Sequence, residues 1–208
     1  RMRALSQGAS RRRDAGAHDR ASADGGSRCG SGTPRAAHLS HSPAGVVLAG
    51  GIARRFGGRP KGLELIHGVR IVDRVVRAIS AVTSVEILAA NDDEATTWLD
   101  GVVIAVDKYP RAGGMAGVHA ALSLGRDVLV VAWDMPLVDA GLLRALVTRA
   151  GAGAFTAVVP ESRSPIGCEP FCALYATAAL PAIESYLGAG GGPAHSFLRE
   201  LPGVSWLP

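Results

Sequence analysis

LAGGIARRFGGRPKG, residues 48–62, decides how this 208-residue chain is read. An apolar run, GVVLA (45–49), opens into a loop holding Gly50 and Gly51, then Arg54 and Arg55, then Gly57 and Gly58, then Lys61. A short continuous apolar run is the mark of a strand buried on both faces. Paired glycines after it let the backbone approach a ligand closely or take positive φ. Successive backbone N–H groups in such a loop make a concave anion site. Arg55 adds a bidentate donor fork and Lys61 a mobile point charge. Together these features suit a polyphosphate. The spacing is not that of a Walker loop, G-x-x-x-x-G-K-[ST], nor of the dinucleotide fingerprint G-x-G-x-x-G. The competing reading, a solvated surface loop, sits poorly behind a strand of this kind.

From Gly45 onward, β-branched runs alternate with helical periodicity. Strands are expected at 45–49, 85–90, 102–106, 127–133, 157–160 and 169–175, with VSWLP at 204–208 as a short edge strand. Helices are expected at 71–82, 93–100, 115–125, 139–150 and 177–188, with Pro181 in the first turn of the last or bending it. In RIVDRVVRAI, Ile71, Val72, Val75, Val76 and Ile79 share one face, with Arg74 and Arg77 opposite. Strand–helix alternation predicts an α/β fold, a three-layer, doubly wound and mostly parallel sheet in a single domain. Ligands of such sheets bind beyond the carboxyl ends of the strands. The loops starting at 49, 91, 107 and 134 are therefore expected around one cleft.

The domain is expected to span 44–208, behind a basic, disordered extension at 1–43. That extension holds eight Arg and three Asp with no Lys or Glu, a net +5. The whole chain carries +4, so the remaining 165 residues sum to −1 (4 − 5). The basic pI of 9.3 thus belongs to the tail and is no argument for nucleic-acid binding. The tail has no apolar periodicity with which to offset its chain entropy. It has no apolar central stretch of a secretory signal, and its Asp residues argue against an organelle transit peptide. The chain does not begin with Met, so a fragment or an upstream-placed start is expected. No apolar run approaches the roughly 20 residues that span a bilayer. Three cysteines, Cys29, Cys168 and Cys172, make no disulfide framework. Buried reduced thiols and a cytoplasmic location are expected.

The later segments add polar groups at strand ends. Asp134 follows the strongly apolar run VLVVA and precedes Pro136. A carboxylate there suits a metal held against phosphates. Its alternative is a cap for the next helix, for which Asp139 is better placed. GGMAG (113–117) opens a helix. Either its N-terminus faces an anion, or its glycines serve close packing. Asp107 contacts the nucleotide, contacts the metal, or ends a strand. His67 and His119 lack ligand-spaced partners and read as surface or packing residues. His195 receives no role.

Over about residues 44–208 the chain resembles the nucleotidyltransferase superfamily that carries L-A-G-G-x-x-x-R-x-G-x-x-x-K after its first strand. LAGGIARRFGGRPKGLEL looks most like the MobA-like molybdenum cofactor guanylyltransferases. VDKYPRAGGMAGVHAAL (106–122) is similar to the family's D-x(n)-G-P-L-A-G segment, with Gly114 and Met115 where Pro and Leu are usual. VVAWDMPLV (130–138) is similar to C-D-x-P, with Trp133 in place of Cys. EPFCALY (169–175) is similar to P-L-x-A-L-Y on the acceptor side. The family pattern continues beyond VSWLP into N-[IV]-N-T-P-E-[DE]-L, which the 208 residues do not contain.

The resemblance implies a Rossmann-like nucleotidyltransferase fold and Mg²⁺ as cofactor. Asp134 would be the metal ligand, with Asp107 a second candidate. Arg55, Lys61 and Asp134 would be catalytic. Leu48, Ala49, Gly50, Gly51, Arg55, Gly57, Lys61, Asn91, Asp107, Gly113 and Gly117 would bind the nucleotide. The donor would be GTP or another NTP, and the acceptor the phosphate of a molybdopterin carrying molybdenum. No nucleic acid and no membrane are expected as partners, and the oligomeric state stays open. The rivals are a cytidylyltransferase or sugar- or alcohol-phosphate nucleotidyltransferase of the same fold, a non-catalytic nucleotide-binding relative, and an RNA-binding protein that uses the basic arm.

Overall fold

The computed structural model describes residues 42–50, 60–109 and 112–208. Apart from Ser42 and Pro43, the expected basic extension lies outside the described residues. The first strand, β1 (Ala44–Ala49), is buried along its whole length, and its alternate residues enter opposite cores. Ala44, Val46 and Leu48 join one cluster, Val47 and Ala49 the other. This two-face burial explains why GVVLA is continuously apolar rather than alternating.

After β1 come a hairpin, β2 (Leu65–Ile66) and β3 (Val69–Arg70), then α1 (Ile71–Ser80), β4 (Val85–Ala90) and β5 (Val103–Ala105). They are followed by α2 (Gly114–Leu122), β6 (Val128–Ala132), α3 (Ala140–Gly151), β7 (Ala157–Pro160) and β8 (Cys172–Tyr175). The chain continues through α4 (Leu180–Gly188), α5 (Ala194–Glu200) and β9 (Val204–Leu207). The seven-stranded sheet has the order β5-β4-β1-β6-β8-β7-β9. β1 pairs in parallel with both β4 and β6, and β4 with β5. β8 runs antiparallel to β6 and β7, and β9 runs parallel to β7. Six strands thus share one direction and β8 opposes them, as a mostly parallel sheet requires.

Residues of α2, α4 and α5 pack on one face of the sheet, those of α1 and α3 on the other. From α1, Val72, Val75 and Ile79 are fully buried, while Arg74 and Arg77 lie off that stripe. The three layers match the expectation. From β1 the chain builds outward through β4 to β5, then crosses back to β6 on the other side of β1. That reversal leaves a crevice at the carboxyl ends of β1, β4 and β6, the place where such sheets bind ligands.

Several local expectations need correction. Residues 93–100 do not form an α-helix; Asp93–Thr97 form a 3₁₀ turn. Asp92 accepts a hydrogen bond from the Glu94 N–H at 2.9 Å, and the two threonines are poor helix formers. The strand expected over 169–175 starts at Cys172, because Cys172 N–H turns back to the Glu169 carbonyl. The helix expected over 177–188 begins with a 3₁₀ turn, Thr177–Ala179, and Pro181 sits in the first turn of α4. The hairpin at 65–70 and the seven-residue α5 were not anticipated. His67 (φ 51°) and Gly68 (φ 76°) supply the two positive-φ positions of a two-residue hairpin turn.

Candidate active site

Asp134 stands two residues beyond the end of β6, and Lys61 reaches it from a 3₁₀ turn, Lys61–Leu63. Lys61 Nζ lies 3.7 Å from Asp134 Oδ2, and each side chain is a little under half exposed. An ion pair so open to water contributes about 0–1 kcal/mol to stability. The pair therefore places a cation and a carboxylate together at a strand end with little return in stability. Asp139, not Asp134, caps α3, accepting from Leu142 N–H at 3.2 Å. Asp134 is thus left for other work.

Trp133 sets this arrangement. Its N–H donates to the Leu48 carbonyl at 3.1 Å, tying the end of β6 to β1. Its buried indole lies against Gly62, where any side chain would overlap the ring, and beside Trp98 at a centroid distance of 4.9 Å. The turn carrying Lys61 is therefore seated on the residue preceding Asp134. The sequence marks Trp133 only as a departure from Cys; its seating role depends on Gly62, 71 positions earlier.

Beyond β4 and β5, Asn91 and Asp107 clasp each other. Asn91 Nδ2 donates to Asp107 Oδ2 at 2.8 Å, and Asp107 N–H donates to Asn91 Oδ1 at 2.8 Å. A backbone N–H can only donate, so the carboxamide orientation is fixed. Its second N–H and second lone pair remain for a ligand. Burial pushes the Asp107 carboxyl above its ordinary value, against the opposing pull of the Asn91 hydrogen bond and of nearby His119. His119 is fully buried; its Nε2 lies 3.1 Å from Glu184 Oε1 and its ring meets Tyr109 edge-on.

The glycines divide by role. Gly113 has φ 76°, a conformation that L side chains rarely adopt, at the entrance to α2. Gly117 is buried, and a Cβ there would overlap Leu48 Cδ1 and lie near Ala89 and Asp107. Gly117 lets α2 close onto the ends of β1 and β4. Leu48 and Ala49 are buried at the end of β1, while Gly50 is exposed, with no contact to a Cβ there among the described residues. Gly51, Arg55 and Gly57 lie outside the described residues.

Next to Asp134 is a cavity of about 320 Å³ whose wall includes Met135, Ile166, Glu169, Phe171 and His195. In the sequence Glu169 is only the first residue of EPFCALY, and His195 carries no signal of a role. α5, which carries His195, is too short to announce itself by periodicity.

The family model of the MobA-like NTP transferase domain matches residues 45–204. The chain belongs to the MobA-like NTP transferases. It is 32% identical over 149 residues to a molybdenum cofactor guanylyltransferase of Desulfosudis oleivorans, covering 70% of this chain and 71% of the relative. It is 33% identical over 160 residues to a probable molybdenum cofactor guanylyltransferase of Thermococcus gammatolerans, covering 76% and 82%. The crystal structure of molybdopterin-guanine dinucleotide biosynthesis protein A from Archaeoglobus fulgidus superposes with a TM-score of 0.66 at 26% identity, covering 79% of this chain and 83% of that one. This MobA-like chain is accordingly a nucleotidyltransferase with the α/β fold of that family, as its loop and strand-end residues led one to expect.

Proposed function

We propose that this MobA-like enzyme moves GMP from GTP onto the phosphate of molybdenum-carrying molybdopterin, releasing pyrophosphate. The observation that carries this reading is the Lys61–Asp134 pair at the end of β6, beside the Asn91–Asp107 clasp beyond β4 and β5. One pair suits a triphosphate and the other a base, and both lie at the carboxyl edge where the sheet order reverses.

In the reaction an oxygen of the acceptor phosphate attacks the α-phosphorus. The new P–O bond forms as the bond to the bridging oxygen breaks, and that electron pair leaves on pyrophosphate. No protein nucleophile is needed, so alignment and charge stabilisation are the enzyme's contribution. Lys61, with Arg55 of the loop, neutralises charge that builds on pyrophosphate. Asn91, fixed by Asp107, offers one donor and one acceptor to the base. Gly113 and Gly117 shape the helix entrance beneath the nucleotide.

Asp134 would hold Mg²⁺, which supplies electrostatic stabilisation of phosphate oxygens when bound. The donor chemistry fits: Mg²⁺ is a hard ion that takes one or two carboxylates and completes its shell with phosphates and water. Asp134 is an accessible carboxylate at a strand end. Among the described residues no three His, Cys, Asp or Glu converge. Asp107 is engaged with Asn91, and in this reading it positions the base contact rather than the metal.

Among the described residues no helix is long and apolar enough to cross a membrane. Cys168 and Cys172 are buried free thiols, and burial pushes the Cys172 thiol up to about 12. Such thiols are unreactive, and a cytoplasmic setting remains part of this proposed reading.

The test is pyrophosphate release with each of the four NTPs, Mg²⁺ and molybdopterin, with Asp134→Ala beside the wild type. Release with GTP, dependent on the acceptor and lowered about 10²–10³-fold in the variant, is expected. Release with CTP alone would replace the donor and keep the mechanism. Unchanged turnover in Asp134→Ala would overturn the metal role.

A further inference from the structure

The cavity beside Asp134 gathers polar side chains from three separate parts of the chain: Asp134 after β6, Glu169 before β8 and His195 in the first turn of α5. Met135, Ile166 and Phe171 supply apolar wall between them. Glu169 and His195 are both half-buried, and among the described residues neither side chain makes a hydrogen bond or ion pair. Both side chains stand partly withdrawn from water in the wall of one cavity, where a bound group can meet them. They share that cavity with Asp134, the carboxylate that the proposed function assigns to Mg²⁺. Around them, Lys61 lies by Asp134, and Arg199 of α5 is engaged by the Ile166 carbonyl at 3.3 Å.

The chemistry of the lining restricts the occupant. A volume of about 320 Å³ holds a fused two-ring group but little more. Phe171 offers a face for a flat ring. An ionised carboxylate only accepts hydrogen bonds, so the edge that meets Glu169 must carry donors. A neutral imidazole donates once and accepts once, so His195 suits a mixed edge or a phosphate oxygen. We infer that Glu169 and His195 are specificity residues for the acceptor. They would read a flat nitrogen heterocycle with an N–H-bearing edge, while its phosphate points to Asp134. This rests on the nucleotidyl-transfer reading above and adds the two side chains that choose the acceptor.

The experiment compares wild type with Glu169→Gln, His195→Phe and, as a control on the exposed side of the same helix, Glu200→Gln. Circular dichroism first establishes that each is folded. With molybdopterin as acceptor, the acceptor KM is expected to rise about tenfold in Glu169→Gln and in His195→Phe. The KM for GTP should stay within twofold, and Glu200→Gln should match wild type. An acceptor KM within twofold of wild type in both variants overturns the assignment. A second readout needs no turnover: titration of the fluorescent ring 6-hydroxymethylpterin, which carries no phosphate. Saturable quenching by wild type, weakened at least fivefold in Glu169→Gln, is expected. Equal quenching in the two proteins, or none by wild type, overturns the ring assignment. If wild type transfers no nucleotide to molybdopterin, the proposed function fails by itself, and the pterin titration still reads the cavity.

Discussion

Asp107 is a carboxylate held at a cost to the fold, and in the proposed reading it positions the base contact. Burial raises its carboxyl pKa, so the folded state binds its proton more tightly than the unfolded chain does. The sign follows from linkage. Below the ordinary carboxylate value the group is protonated in both states and carries no penalty. As pH rises from that value through the raised one, stability is lost, and at pH 7 the full cost is present. Asp107→Asn removes the charge while keeping an oxygen for Asn91 Nδ2. Its melting temperature at pH 7 should equal or exceed wild type, and the gap should close as pH falls through the carboxylate range. A variant that melts well below wild type at pH 7 would show that the carboxylate stabilises the fold. The KM for GTP should nevertheless rise about tenfold, because the clasp that orients Asn91 loses a charge-assisted bond. Lys61 argues in the other direction. Its exposed pairing with Asp134 contributes little to stability, so Lys61→Gln should leave the melting temperature within a few degrees and raise the KM for GTP. A large drop in melting temperature would count against a ligand role. At this scale the sequence was informative where a residue type implies chemistry: Asn91, Asp107 and Asp134 all lie at strand ends as expected. It was silent on Glu169 and His195, because a glutamate before a strand and a histidine in a glycine-rich stretch are ordinary until a cavity joins them.

Elements place these residues, and α2 does so through its glycines. A side chain at 117 would meet Leu48 Cδ1, and Leu48 is only 5% exposed, so it has little room to yield. Gly117→Val should cost about 1–3 kcal/mol by overpacking, read as a lower midpoint in denaturant. The KM for GTP should rise as well, because the end of β1 is pushed from α2. An unchanged midpoint would mean that the helix shifts freely. The sequence left GGMAG open between an anion-facing helix N-terminus and close packing; the structure shows the packing at Gly117 and adds a positive φ at Gly113. A positive φ and a close contact are not told apart in a sequence, because both call for glycine. The strands were legible for a clear reason. A strand buried on both faces must be apolar throughout, and β1 and β6 read that way, as does the inner part of β4 after Glu86. The failures fell on short elements. A two-residue hairpin arm or a seven-residue helix spans too few positions to show a period, and DEATTWLD (93–100), read as a helix, has two threonines of low helical propensity.

For the whole molecule, charge is distributed in a way that bears on function. Residues 1–43 carry +5 and the remaining 165 carry −1, so an anionic nucleotide is drawn to the domain by local groups rather than by its net field. Lys61 supplies such a local charge beside Asp134, and the sequence adds Arg54, Arg55 and Arg59 to the stretch that follows β1. The basic segment therefore stands apart from the nucleotidyl-transfer reading, and deleting residues 1–43 separates the two. If transfer depends on the strand-end groups alone, kcat/KM for GTP should stay within about twofold, and its salt dependence should not change. An RNA-binding role for the arm predicts a different result. Each phosphate neutralised by Arg releases counterions, so log affinity for single-stranded RNA would fall with log salt at a slope of about −0.7 per contact, and that binding would vanish with the deletion. Measuring GTP turnover and RNA retention side by side, at two salt concentrations, decides between them. A tenfold loss of turnover in the shortened chain would mean that the arm reaches the active site, and the charge of the extension would then have to be counted in the chemistry.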